Sequence, residues 1–293
     1  MNGLPAPPPE GASALPASSY EGRVALVTGG GTGLGLAIAV EFARLGAVVA
    51  IASRDPDHRE AGLRAIAAVG PPGIGVPLDV REPVAIEASF NLVQDTVGPV
   101  DILVNNAAGN FPVPAEDLSP GGWRAVTSIV LDGTFYMSRE FARRAIAAER
   151  EGVILNVGAS YAWTGGPGFA HSAAAKAGVK NLTESLAVEW APYGIRVNGL
   201  VPGLMPHDEE VAAIRGVPGR GDAAREQVSS PALRVGERRE LGWAATFLCS
   251  PYAAYVAGHT MVVDGANWQR RALLREPFTP IREQLGRPPF SLD

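Results

Sequence analysis

The sequence has a single cysteine, Cys249, so it can close no internal disulfide. No apolar run approaches the roughly 18 residues that a bilayer span takes. A basic excess is missing as well. Lys and Arg number 25 against 30 Asp and Glu, a formal net charge of -5 with the four histidines neutral. That argues against nucleic acid as the main partner, because neutralising phosphates takes a surplus of cations. The histidines show no ligand spacing with carboxylates or with Cys249, so no catalytic metal is expected. The N-terminus lacks the basic start and continuous apolar stretch of a secretory signal. The expectation is a soluble, cytoplasmic chain with no membrane partner.

What is present is the composition of a chain that buries a full core: 46% hydrophobic and 19% charged residues over 293 positions. Length alone permits one large domain or two small ones. Residues 1–20 carry Pro5, Pro7, Pro8, Pro9 and Pro16 among Gly, Ser and Ala, with almost nothing to bury, and are expected to form a flexible tail. From Arg23 onward, short apolar runs alternate with helical stretches. Strands are expected at 24–28, 47–53, 74–79, 102–105, 153–157 and 196–201, and helices at 34–45, 58–69, 84–97, 120–149 and 173–190. Continuously apolar strands such as Val48 to Ala52 suit a parallel sheet covered on both faces. The alternation implies an α/β, doubly wound parallel sheet of the Rossmann type, one domain over residues 21–269. Two segments break the rhythm. Residues 206–230 are polar and interrupted by Gly216, Pro218, Gly219 and Gly221, and follow a strand end where open sheets bind ligands. They read as a substrate lid or as a solvated insertion. Residues 270–293 carry five arginines and read as an arm over a neighbouring subunit or as a frayed tail.

Thr28-Gly29-Gly30-Gly31-Thr32-Gly33-Leu34-Gly35 follows the first strand and opens the first helix. Glycine lets the backbone turn with positive φ and approach a pyrophosphate, and the helix N-terminus presents unpaired N–H groups. With a second strand about twenty residues on, this is a dinucleotide-binding pattern. An acid at the end of that strand would take the 2′-hydroxyl of NAD. Ala52-Ser53-Arg54 instead offers a hydroxyl and a guanidinium to a 2′-phosphate, which points to NADP(H). The competing reading gives the acidic role to Asp55.

The glycine loop, Asn105-Asn106-Ala107-Ala108-Gly109 after the fourth strand and Pro202-Gly203 after the sixth together resemble the short-chain dehydrogenase/reductase family over roughly residues 20–270. The resemblance implies cofactor contacts from Gly29, Gly31, Thr32, Gly33, Leu34, Gly35, Ser53, Arg54, Asp79, Val80, Asn106, Ala107, Ala108, Lys176, Pro202 and Gly203. The family's usual active site is a Tyr-x-x-x-Lys pair with an upstream Ser. Here Ser172 stands four residues before Lys176, and the upstream position is Ala159. Tyr161, in Ser160-Tyr161-Ala162-Trp163-Thr164-Gly165-Gly166, looks instead like the arrangement of the 2,4-dienoyl-CoA reductase branch. Ile51-Ala52-Ser53-Arg54 and Ala107-Ala108-Gly109-Asn110-Phe111 resemble that branch too, and Asp264-Gly265-Ala266-Asn267-Trp268 is similar to its peroxisomal members. Val130-Leu131-Asp132-Gly133-Thr134 matches a stretch that carries a catalytic asparagine in the mitochondrial-type enzymes, with Asp132 in its place.

That resemblance implies NADPH-dependent reduction of an acyl-CoA double bond in fatty-acid β-oxidation, 2,4-dienoyl-CoA going to 3-enoyl-CoA. Tyr161 would donate to the thioester oxygen, Lys176 would add positive charge and hold the nicotinamide ribose, and Ser172 would orient them. Asp132 would help only as a neutral acid, or else serve as a structural carboxylate. A homotetramer is implied. Two other readings stay open: a reductase or dehydrogenase of another carbonyl or enone, and a catalytically silent NADP-binding protein.

Overall fold

The structure, a computed structural model, describes residues 3–206, 230–270 and 279–290; residues 207–229, nearly all of the expected lid, lie outside these. Among the described residues, seven strands form one parallel sheet. They are β1 (Val24–Thr28), β2 (Val48–Ser53), β3 (Ile74–Pro77), β4 (Ile102–Asn105), β5 (Gly152–Val157), β6 (Ile195–Pro202) and β7 (Thr260–Val263), in the order β3-β2-β1-β4-β5-β6-β7. The chain runs outward from β1 to β3, then crosses back to lay β4 against the other side of β1, where Val27 pairs with both Ile51 and Val104. The strand order reverses there, and the crevice at such a switch point is where open α/β sheets bind ligands.

A strand covered on both faces must be apolar along its whole length, and all five residues of β1 are buried. One face of the sheet is covered by α1 (Gly33–Arg44), α2 (Pro56–Ala67) and α8 (Arg238–Cys249), whose Ile38, Phe42, Ile66, Leu241 and Leu248 cluster with Val27, Ile51 and Val104. The other face takes α3 (Pro83–Val97), α5 (Gly133–Ala147) and α7 (Ala170–Trp190). Their Phe90, Met137, Phe141 and Leu186 pack on Leu26, Ala50, Leu103 and Ile154. Local signals fix where helices begin. Asp55 caps α2 by accepting from the Asp57 N–H at 2.9 Å, and Pro56 occupies the first turn, where its missing N–H costs nothing. Glu237 and Glu240 form a reciprocal capping box at the start of α8.

The structure departs from the sequence reading in three places. The long helix expected at 120–149 is α4 (Pro120–Thr127), one π-helical turn at Ser128–Asp132, and then α5. Strand β7 and helix α8 were not anticipated. The described part of the first twenty residues is docked and not a free tail. Proline removes backbone donors but keeps its carbonyl, and side chains around α8 use those carbonyls: Arg234 Nε donates to Pro5 O at 3.0 Å, Arg239 Nε to Pro8 O at 3.2 Å and Trp243 Nε1 to Ala12 O at 2.9 Å. Tyr20 ends the segment inside the core, edge-on to Phe42 with its hydroxyl on Thr246 O.

Candidate active site

A cleft of about 2040 Å³ opens along the carboxyl ends of the central strands. That exceeds the roughly 300–1,000 Å³ of a single small-molecule pocket, so two ligands can lie in it together. At its floor the glycine loop is folded very tightly. Gly29 has φ +64°, and a Cβ on Gly35 would sit 2.3 Å from Gly29 O and 2.4 Å from Asn106 Nδ2. Only glycine fits there. Thr28, read from the sequence as the end of the first strand and the head of the glycine motif, ties this loop to β4. Its hydroxyl accepts from the N–H groups of Asn106 and Ala107 at 3.0 Å each and donates to Val104 O, while Asn106 Nδ2 donates to Thr28 O at 3.0 Å.

Most of the expected cofactor contacts face the cleft: Gly29, Thr32, Leu34, Gly35, Ser53, Arg54, Asp79, Val80, Asn106, Ala107, Ala108, Lys176, Pro202 and Gly203. Gly31 and Gly33 do not line it. A Cβ on Gly31 would meet His58 O at 2.2 Å, so this glycine serves the packing of α2 on the loop, and Gly33 supplies the positive φ at which α1 starts. At the mouth, Asp79 pairs with Arg81 at 2.5 Å and lies 3.7 Å from Arg54. The hydrogen bond from the Arg81 side chain holds the Asp79 carboxyl down at about 2.

The reactive end is built by β5, the short helix α6 (Tyr161–Thr164) and the start of α7. Tyr161 Oη lies 3.0 Å from Ser172 Oγ. One turn further along α7, the Lys176 side chain is buried and its ammonium donates to Val157 O at 2.5 Å. Burial pushes this lysine down to about 8; the hydrogen bond favours the charged form and works the other way. A buried amide chain holds α7 to the sheet: Asn105 Nδ2 donates to Asn156 Oδ1 at 2.9 Å, and Asn156 Nδ2 to Thr183 Oγ1 at 2.9 Å. Ala159 faces the cleft with no hydroxyl to offer; Tyr161 and Lys176 line the cleft, and Ser172, buried one turn before Lys176, joins them through Tyr161 Oη.

Asp132 does not join them. It is exposed at the end of the π-helical turn and is absent from the cleft wall, where the same turn contributes Ile129. The π turn sets Val130 against Val126, Ala175 and Val179 and leaves the carboxylate outward. A carboxylic acid kept neutral by burial therefore has no place in this site. Sequence reasoning also missed Phe111, which lines the cleft and packs edge-on against buried His171 at 4.6 Å, and the residues Ile281 and Leu285 from the C-terminal segment.

The family description enoyl-(acyl carrier protein) reductase matches residues 29–266. A Bacillus subtilis protein named "Probable 2,4-dienoyl-CoA reductase [(2E)-enoyl-CoA-producing]" is 41% identical over 249 residues, covering 85% of this chain and 97% of the relative. The rat peroxisomal 2,4-dienoyl-CoA reductase, named as (3E)-enoyl-CoA-producing, is 38% identical over 247 residues, 84% of each chain. Among solved structures, a gluconate 5-dehydrogenase from Burkholderia cenocepacia in complex with NADP and tartrate superposes with a TM-score of 0.78 at 32% identity, covering 86% of this chain and 97% of that one.

Proposed function

The chain belongs to the short-chain dehydrogenase/reductase family, and from that premise we propose that it is an NADPH-dependent reductase of acyl-CoA double bonds that converts 2,4-dienoyl-CoA to 3-enoyl-CoA. One observation carries the reading: Tyr161, which lines the cleft with Lys176, is hydrogen-bonded at 3.0 Å to buried Ser172. Carbonyl reduction by the usual family site fits this chain less well, because Ser172 and Ala159 stand where that site needs Tyr and Ser.

The cofactor's requirements are met by residues that line the cleft. The Gly29–Gly35 turn is packed so closely that a Cβ on Gly31 or Gly35 would collide with His58 O or Gly29 O, and the helix it opens favours an anion at its N-terminus. Ser53 and Arg54 stand at the end of β2 for a 2′-phosphate, while Asp55, the competing acid, is engaged as the cap of α2. The bound dinucleotide supplies the hydride, which the reaction adds at Cδ of the diene. Charge then runs through the conjugated system to the thioester oxygen, and Tyr161 Oη is the donor that meets it; a fixed donor in a dry site stabilises developing charge without reorganising. Ser172 orients that hydroxyl, and the Lys176 ammonium lowers its proton affinity. A proton taken up at Cα gives the 3-enoyl thioester.

The test is NADPH consumption with 2,4-dienoyl-CoA, 2-enoyl-CoA, 3-ketoacyl-CoA and gluconate-type ketones, with the product double bond located by NMR. Turnover confined to ketones, or absent throughout, overturns the proposal. A cofactor preference is expected alongside it. NADPH should bind more tightly than NADH by about 1–3 kcal/mol, the scale of hydrogen bonds to a charged group, and Arg54→Asp should erase the difference in a fluorescence titration. Asp79 has Arg81 as a nearer partner at 2.5 Å in the unaltered protein, so losing Arg54 should not leave its carboxylate unpaired, and a lost preference would report the missing guanidinium. Equal affinities in the unaltered protein would remove the argument.

The chain is also expected to assemble as a homotetramer. Trp123 on α4, Phe135 on α5 and Val188 on α7 are exposed, Val188 by 79%, and helices apolar on an outer face usually find a partner. Light scattering at micromolar concentration checks this, and a monomer counts against it.

A further inference from the structure

The sequence leaves the C-terminal segment as an arm over a neighbouring subunit or a frayed tail; its described part is docked on this chain. Residues 279–290 lie across the mouth of the chain's own cleft. The short helix α9 (Ile281–Gln284) and Leu285 after it line the cleft, Ile281 and Leu285 half-buried and Glu283 and Gln284 exposed beside them. Both apolar side chains approach Gly168, where an added Cβ would lie 3.6 Å from Ile281 and 3.9 Å from Leu285. Gly168 has φ +79° and its carbonyl accepts from Val113 N at 2.8 Å, which fixes the opposite wall of the cleft. One arginine anchors the segment. Arg282 donates to Glu116 at 2.9 Å and to Asp117 at 2.5 Å, while its own Nη1 holds Pro288 O at 2.8 Å and its guanidinium lies over the Phe290 ring.

From this arrangement we infer that residues 279–290 form a strap supplying an outer wall of the substrate cleft, with Ile281 and Leu285, its half-buried apolar residues, as specificity-determining residues for acyl chain length. The inference rests on the acyl-CoA reading for its substrate, while the strap itself rests on contacts alone. With the reacting carbons near Tyr161, the chain-length role requires that a short acyl chain end before Ile281 and Leu285. It requires equally that a longer chain reach them, where each methylene removed from water adds affinity. The strap is held by ion pairs near solvent, which salt screens.

The experiment compares kcat/KM for a six-carbon and a twelve-carbon 2,4-dienoyl-CoA in the full-length protein, its Ile281→Ala/Leu285→Ala variant and an Arg282→Ala variant. Hydrogen exchange of the three proteins without substrate is read in parallel. The ratio of long-chain to short-chain kcat/KM should fall about tenfold in the double variant, the scale on which apolar pockets discriminate, with kcat on the short substrate and NADPH affinity unchanged. Arg282→Ala should lower the same ratio and speed exchange at the Val113, Leu285 and Arg287 amides, and added salt should mimic it in the unaltered protein. A ratio unchanged within twofold in both variants overturns the specificity role. Unchanged exchange in Arg282→Ala overturns the strap. If the unaltered protein turns over no dienoyl-CoA, the acyl-CoA reading fails; the chain-length role falls with it, and the exchange measurement still decides whether the strap exists.

Discussion

Tyr161→Phe should lower turnover on 2,4-dienoyl-CoA by about 10²–10³, the cost of removing one oxyanion donor, with NADPH affinity nearly intact. The substitution removes one hydroxyl and keeps the ring, whose Cβ and Cγ come within 3.3 and 3.4 Å of a Cβ placed on Gly166, so the packing around α6 is preserved. kcat and kcat/KM should fall together, the mark of an interaction made in the transition state and not in substrate binding. Ser172→Ala should cost less, since Ser172 Oγ contacts Tyr161 Oη at 3.0 Å and acts by orienting it. Asp132→Asn, on an exposed carboxylate away from the cleft wall, should leave both the rate and its pH dependence unchanged. Full activity of Tyr161→Phe on every substrate of the panel would place the oxyanion donor elsewhere in the cleft and overturn the role given to Tyr161.

The parts of this site that were legible in the sequence are those fixed by backbone chemistry. A glycine run between an apolar strand and a helix can make only a few structures, and the tight Gly29–Gly35 contact is one of them. Buried parallel strands such as Val48–Ser53 announce themselves by being apolar throughout. What stayed hidden depended on tertiary position. The π turn at Ser128–Asp132 leaves no mark on a helical pattern, yet it decides that Ile129 faces the cleft and Asp132 faces solvent. The proline-rich start looked unable to order itself because its own side chains bury little; its partners are arginines and a tryptophan more than two hundred residues away. Helix α8 begins with a glutamate cap, a weaker signal than Ser, Thr, Asp or Asn. The position of Ile281 and Leu285 along the cleft is set by Arg282 meeting Glu116 and Asp117, a pairing of distant charges that no local periodicity records.

Lys176 provides the other large effect, and its pH dependence separates a catalytic ammonium from a structural one. Lys176→Met should cut turnover at least about 10²-fold, the lower end of what a positioned proton-transfer group contributes. It should also weaken NADPH binding, because the same ammonium is assigned to the ribose. In the unaltered apoprotein, burial holds this lysine at about 8 against an ordinary 10.5, so kcat/KM should decline as pH rises through about 8 and the ammonium is lost. Stability should move the opposite way. Between about 8 and 10.5 the unfolded chain binds more protons at this lysine than the folded one does, so its contribution to stability rises with pH over that window and is flat below it. Lys176→Met removes a buried charge along with the donor to Val157 O. Its apoprotein at pH 7 should therefore melt no lower than the unaltered protein and should lack the rise above pH 8. Melting temperature by calorimetry from pH 6 to 10, set beside the pH–rate profile, reads both signs at once. A variant that melts lower but keeps its rate would make Lys176 a packing residue, and the assignment of charge stabilisation to this end of the cleft would fail with it.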